Sequence, residues 1–182
     1  GFAVIVNHFK SKGDSCTSNE AQTQPEKCAA GDNEANAEVG AFNGDRVRQA
    51  TRLLQFAEDF AAARDVEPIF LAGDFNSYTM EEPIKVLTSE DAGFQLIESD
   101  EESDESYSFS GLSGSLDHVL ANDAAMAMVT GADIWEINAN EAASFQYSRY
   151  NYNVTDFWLP NQPWGTSDHN PEVVGIDVPD FT

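Results

Sequence analysis

The run Phe2-Ala3-Val4-Ile5-Val6 constrains this chain more than any other stretch. It is almost continuously apolar and rich in β-branched side chains, which predicts a strand buried on both faces. Such a strand needs partners beside it and layers above and below. It is an unexpected first element for a free chain end, so the 182 residues read as the C-terminal portion of a larger domain. A second apolar run, Ile69-Phe70-Leu71-Ala72, follows Pro68 and predicts another buried strand. Between the two, Val47, Ala50, Leu53, Leu54, Ala57, Phe60 and Ala61 recur at helical spacing. They predict an amphipathic helix from about residue 44 to 64, with Asn43-Gly44-Asp45 supplying a cap and early acidic charge.

Later segments are shorter. Glu81–Thr88 reads as a helix that tolerates Pro83 in its first turn. Phe94–Ile97 is a weak strand, and residues 98–106 form an acidic, serine-rich loop expected to be solvated. Tyr107–Phe109 and Leu116–Ala121 read as strands joined by a Gly/Ser turn at 111–115. A helical turn over 123–129 and strands over 132–137 and 173–178 complete the pattern. Residues 9–43 form a long loop and 138–166 an irregular segment. There are no repeats, and no apolar run approaches the ~18 residues a membrane span requires. One α/β domain with mixed sheets accounts for this order.

Charge narrows the function. Acids number 32 and bases 9, for a net charge of −23. That excludes a generic basic nucleic-acid-binding domain but not an enzyme acting on a polyanion, which would work through a local patch or bound cations. Arg149 is the only base after Lys85. With 41% hydrophobic residues and 12 Phe, the chain is too apolar to be a disordered acidic segment. The two cysteines, Cys16 and Cys28, sit in a polar stretch. A disulfide there would clamp a flexible loop, contributing about 3 kcal/mol, and would place the protein in an oxidising compartment. Two unpaired thiols are the alternative.

Four stretches put catalytic residue types at strand ends: Asn7-His8, Gly73-Asp74-Phe75-Asn76, Leu116-Asp117-His118 and Ser167-Asp168-His169-Asn170-Pro171. Scaffold strands fix geometry there while adjoining loops stay open to ligand. Asp117 and His118 alternate along a strand and should face opposite ways, with Asp117 the functional member and His118 structural. Taken together, imidazoles, carboxylates and an Asp-x-Asn suit metal-assisted phosphodiester hydrolysis. A divalent ion offsets the charge that repels a nucleophile. An imidazole takes a proton from water near neutral pH, a carboxylate behind it fixes its tautomer, and an Asn amide donates without adding charge.

The motifs Asn7-His8-Phe9-Lys10-Ser11-Lys12-Gly13, Gly73-Asp74-Phe75-Asn76, Leu116-Asp117-His118-Val119 and Ser167-Asp168-His169-Asn170-Pro171 resemble, in this order, those of the endonuclease/exonuclease/phosphatase superfamily. The Lys10–Gly13 stretch, the two-Cys loop and Phe42-Asn43-Gly44-Asp45-Arg46-Val47-Arg48-Gln49-Ala50 are similar to the large extracellular nucleases of bacteria. The resemblance implies a deoxyribonuclease I-like fold, a two-sheet sandwich flanked by helices, with residues 1–182 covering its C-terminal portion and the N-terminal strands missing. It implies His169 as general base, oriented by Asp117, and Asp168 as a metal ligand or a carboxylate behind one. Asp74 would orient the water or assist the leaving group, Asn76 would hold the phosphate, and His8 would contact the phosphate or protonate the leaving oxygen. Asn7, Lys10, Lys12, Arg46 and Arg48 become candidates for phosphate contact, and Cys16–Cys28 for a disulfide.

The implied protein is a secreted or cell-surface nuclease. It would use a divalent metal, Mg²⁺ first with Mn²⁺ or Ca²⁺ as alternatives, and act on DNA, with RNA a second candidate substrate. The family's upstream Asn and metal-binding Glu fall outside this sequence, so the rest of the parent chain is expected to complete the site and the piece alone to be impaired. A phosphatase or sphingomyelinase-type phosphodiesterase of the same superfamily is one alternative. A non-catalytic acidic module binding a cation or a partner is the other.

Overall fold

The computed structural model describes residues 1–13, 39–101, 104–109, 111–140 and 165–178. Cys16 and Cys28 lie outside the described residues. A four-stranded mixed sheet in the order β1-β2-β6-β3 is the scaffold. β1 (Ala3–His8) runs parallel to β2 (Ile69–Asp74), while β6 (Asp117–Asn122) pairs antiparallel with both β2 and β3 (Phe94–Leu96). Two ribbons accompany it: the hairpin of β4 (Tyr107–Phe109) with β5 (Leu112–Gly114), and β7 (Val129–Ile134) with β8 (Glu172–Ile176). Helices α1 (Asn43–Arg64), α2 (Glu82–Leu87) and the single turn α3 (Asp123–Met126) complete the described elements. No helix among the described residues is long and apolar enough to cross a membrane.

Both faces of the central strands β2 and β6 are covered, by different layers. On one face Ala3, Ile69, Leu71 and Leu120 pack against Ala50, Leu53 and Ala57 of α1 and Ile84 and Leu87 of α2. Full burial of side chains such as Leu71 and Leu120 (0% exposed) contributes about 1.5–3 kcal/mol each. On the other face Phe70 and Ala121 meet Val119, Val129 and Ile176, so the β7–β8 ribbon forms a second layer. This is the mixed, layered α/β architecture that the strand–helix alternation predicts.

Four local expectations change. β1 is not buried on both faces: Val4 and Val6 are 52% and 78% exposed. Among the described residues β2 is its only strand partner, and the apolar cluster on that face contains neither valine. Asn43 does not cap α1. Phe42, in a left-handed conformation (φ 64°), occupies the cap position, and the Asn43 amide donates to Glu82 Oε2 at 2.6 Å instead. The expected 111–115 turn holds a strand of its own, β5, because Phe109 and Leu112 pair across a tighter reversal. The strand expected at 132–137 lies at Val129–Ile134, and its last expected residues form the approach to a buried asparagine at position 138.

Candidate active site

Strand register brings the site together. His8, Asp74 and Asp117 end or begin three neighbouring strands and are aligned partners: His8 opposite Asp74, and Asp74 opposite Asp117. Aligned residues project to the same face of a sheet, so three chain segments deliver one row of side chains. The row one residue back, Asn7, Gly73 and His118, points the other way. His118 is accordingly buried and its Nε2 lies 2.8 Å from Ser77 O; burial pushes its pKa down. Gly73 is required at its place. Its φ is 132°, and a Cβ there would collide with the Asn7 carbonyl oxygen of the adjoining strand.

His169 reaches this row from the loop before β8. Its Nδ1 lies 2.6 Å from Asp117 Oδ2, and Tyr107, whose backbone bridges to His169, holds its ring 4.6 Å from the imidazole. Burial works against the imidazolium. The hydrogen bond and charge of Asp117, with Asp74 and Asp168 behind it, outweigh burial and leave the His169 pKa above its ordinary value. Asp74 is also raised, mainly by burial and further by the Asp117 charge, against the pull of the Asn76 N–H. His8 is largely exposed and its Nε2 sits 3.3 Å from Asp74 Oδ2.

Several candidate residues play parts other than those expected. Asn76 is buried in a left-handed conformation (φ 47°). Its backbone N–H donates to Asp74 Oδ1 at 2.7 Å, and its amide nitrogen donates to Asp74 Oδ2 at 3.0 Å and to Phe9 O at 3.1 Å. Its N–H groups thus fix Asp74. The Asn7 amide donates to the Ile5 and Ala72 carbonyls, on the face away from His8. Arg46 is fully buried, and its guanidinium donates to the carbonyls of Lys10, Val39 and Ala41. It ties the start of α1 to the chain after β1 and is not available to a phosphate.

Lys12 pairs with Glu81 at 2.5 Å and lies over the Tyr78 ring, and burial lowers its pKa. Arg48 pairs with Asp45 on the surface. Lys10 is exposed, its ammonium 4.4 Å from the Phe42 ring centroid. Asp168 stands beside His169 as a nearby charge. Among the described residues, Asp74, Asp117 and His169 offer ligand atoms that all fall within 4.8 Å of one another. The two carboxylates are oxygen donors that suit a hard divalent cation, and the imidazole is a borderline donor. Because the His169 Nδ1 is engaged by Asp117, the carboxylates are the better candidates to hold it.

The residues that hold the dyad in place are ones the sequence pattern does not single out. Ser106, read as part of a solvated loop, is fully buried. Its hydroxyl donates to Asp117 Oδ2 at 2.8 Å and accepts the N–H groups of Leu116 and Asp117. Asn170 is likewise buried: its Oδ1 accepts the N–H groups of Asn138 and Ala139, and its Nδ2 donates to Glu105 O. Asn138 in turn donates to the His169 carbonyl at 2.8 Å. This network pins the backbone on both sides of His169. Only position 170 carried a signal, as the residue after Ser-Asp-His; Ser106 and Asn138 lie in segments whose composition reads as loop.

No protein-family model and no curated protein matches the chain. Solved structures do. A mannosyl-6-phosphatase of Bacteroides thetaiotaomicron superposes over 74% of this chain and 46% of its own, with a TM-score of 0.51 and 14% identity. An endonuclease/exonuclease/phosphatase family protein of the same organism covers 50% of this chain and 34% of its own (TM-score 0.41, 15% identity). The human Nocturnin catalytic domain covers 65% and 34% (TM-score 0.38, 18% identity). At 14% identity the likeness to the mannosyl-6-phosphatase is one of fold. The chain spans less than half the length of each of these structures.

Proposed function

We propose that this chain, whose fold is that of the endonuclease/exonuclease/phosphatase proteins, contributes the catalytic centre of a metal-assisted phosphodiester hydrolase, a secreted nuclease acting on DNA and RNA. The observation that carries the reading is the Asp117–His169 pair at 2.6 Å, set beside Asp74 in a group that could hold a cation. A bound divalent ion would neutralise the phosphate and the charge developing on it. Two carboxylates, Asp74 and Asp117, leave such an ion short of ligands, so the reading includes further donors from the rest of the parent protein.

The chain's own groups supply the proton transfers. With Nδ1–H donated to Asp117, the His169 Nε2 lone pair is free to take a proton from the attacking water. Asp117 holds the tautomer and supports the cation that forms; positioned general-base help of this kind contributes on the order of 10²–10⁴-fold. The water oxygen bonds to phosphorus, the bond to the leaving oxygen breaks, and that oxygen takes a proton from the His8–Asp74 pair. His8 Nε2 lies 3.3 Å from Asp74 Oδ2, so Asp74 orients the imidazole that hands over this proton. A phosphomonoesterase is the second reading, favoured by the fold shared with a mannosyl-6-phosphatase.

The test is cleavage of plasmid DNA, RNA and a sugar phosphate by the full parent protein, with Mg²⁺, Mn²⁺, Ca²⁺ or chelator. Metal-dependent nicking that His169→Ala abolishes supports the nuclease. Turnover of the sugar phosphate alone replaces it with the second reading. Activity indifferent to His169→Ala overturns both.

A further inference from the structure

The β4–β5 hairpin carries an aromatic surface that the hydrolytic chemistry does not use. Tyr107 and Phe109 alternate along β4 and face the same way, and their rings are parallel to within 8° with centroids 6.2 Å apart. Leu112 pairs with Phe109 and Gly114 with Tyr107 across the hairpin, so all four positions share that face. Phe109 is 60% exposed and Leu112 76%. Gly114 leaves room for the Tyr78 ring, which approaches to 2.7 Å of where its Cβ would be. The result is a stacked pair of rings that begins in contact with His169 at Tyr107 and ends in solvent at Phe109.

We propose that Phe109, backed by Tyr107 and Leu112, is a stacking platform for a nucleobase next to the scissile phosphate, and so a specificity determinant of the nuclease site; this rests on the phosphodiesterase reading. The ledge touches the imidazole placed to act on the phosphate, so a substrate group one linkage away comes to lie over it. The exposed Phe109 ring, with Tyr107 parallel behind it, matches a planar, uncharged base, which stacks without sequence preference. The surround is acidic: Asp104 and Glu105 immediately precede β4, and Asp117 holds the imidazole that Tyr107 touches, in a chain of net charge −23. That setting disfavours an anionic lipid headgroup on the ledge itself and tolerates a neutral ring. Affinity gained by stacking would compensate for the poverty of free cations near the site, where Arg46 and Lys12 are engaged in the scaffold.

The test compares a labelled single-stranded oligonucleotide with one of equal length and charge whose residues are abasic. Binding to the full parent protein is followed by fluorescence anisotropy with Mg²⁺ in a His169→Ala background, so that no turnover intervenes, and kcat and KM are measured with His169 intact. The expected result is tighter binding of the base-bearing strand by roughly 5- to 100-fold. Phe109→Ala should remove that preference and raise KM, and Phe109→Trp should retain both. The exposed position of Phe109 makes loss of folding an unexpected outcome, and thermal unfolding of each variant checks it. Unchanged preference in Phe109→Ala, or equal weakening toward both strands, overturns the platform while leaving the nuclease in place. Failure of the wild-type protein to bind or cleave either strand overturns the nuclease reading and this inference with it.

Discussion

The His169 imidazole is held from both ends: Asp117 Oδ2 lies 2.6 Å from its Nδ1, and the Asn138 amide donates to its main-chain carbonyl at 2.8 Å. One contact sets the tautomer and the other the position. Asp117→Asn keeps the shape but turns an acceptor that supports imidazolium into a neutral amide. Turnover should fall by on the order of 10²–10⁴-fold. The pH profile supplies a separate readout. A base must be neutral to act, and Asp117 helps hold the His169 pKa above its ordinary value. The acidic limb of kcat/KM should therefore lie above the ordinary histidine value in the wild type and move down in the variant.

Ser106 gives Asp117 its second hydrogen bond and accepts two backbone N–H groups. In Ser106→Ala those N–H groups and one carboxylate lone pair lose their partner inside the protein. Stability should fall by about 1–3 kcal/mol, read as a lower urea midpoint, with a drop in turnover beyond what the unfolded fraction explains. A variant as stable as wild type and fully active would show that the Ser106 contacts do not matter.

Arg46 and the exposed lysine Lys10 make opposite predictions. Arg46→Ala removes a buried fork that serves three carbonyls and should cost about 3 kcal/mol or more while leaving the salt dependence of oligonucleotide binding unchanged. Lys10→Ala should leave stability nearly unaltered and flatten the salt dependence by about one phosphate contact. Denaturant melts paired with salt titrations distinguish the two.

Glu172 opens β8 with its pKa raised to about 8, first by burial and then by the Asp117 charge. A carboxyl whose folded pKa exceeds its unfolded value stabilises the fold below the unfolded pKa and loses that contribution as pH climbs through the folded one. The protein should lose on the order of a few kcal/mol from this group between about pH 5 and pH 9. Glu172→Gln should flatten that slope. An identical slope in the variant would show that another group causes it.

At Gly73 the backbone φ of 132° and the adjoining Asn7 carbonyl leave no space for a side chain. Gly73→Ala should force β1 and β2 apart where His8 meets Asp74, lowering thermal stability and turnover together. Glycine at the exposed turn position 93 has no atom within 4 Å of a would-be Cβ, and Gly93→Ala should affect stability only through its positive φ, by about 1 kcal/mol.

The chain's apolar periodicity by itself determined much of this protein. Val47 through Ala61 can bury one face only as a helix, and Ile69–Ala72, punctuated by Pro68 and Gly73, only as a short strand, because each period admits one geometry. Motif order likewise marked His8, Asp74, Asp117 and His169, since acid–base residues at strand ends are already held in place by the scaffold. Only the tertiary structure decided which neighbours those residues have. How far Val4 and Val6 are covered depends on the strands and layers that pack on β1, which their own side chains do not specify. Arg46 and Asn76 are residue types equally suited to a phosphate or to a carbonyl, and burial alone committed them to the scaffold. Ser106 and Asn138 carry no pattern at all, because a hydrogen bond across many residues of chain depends on the meeting of two loops, and local sequence specifies neither partner.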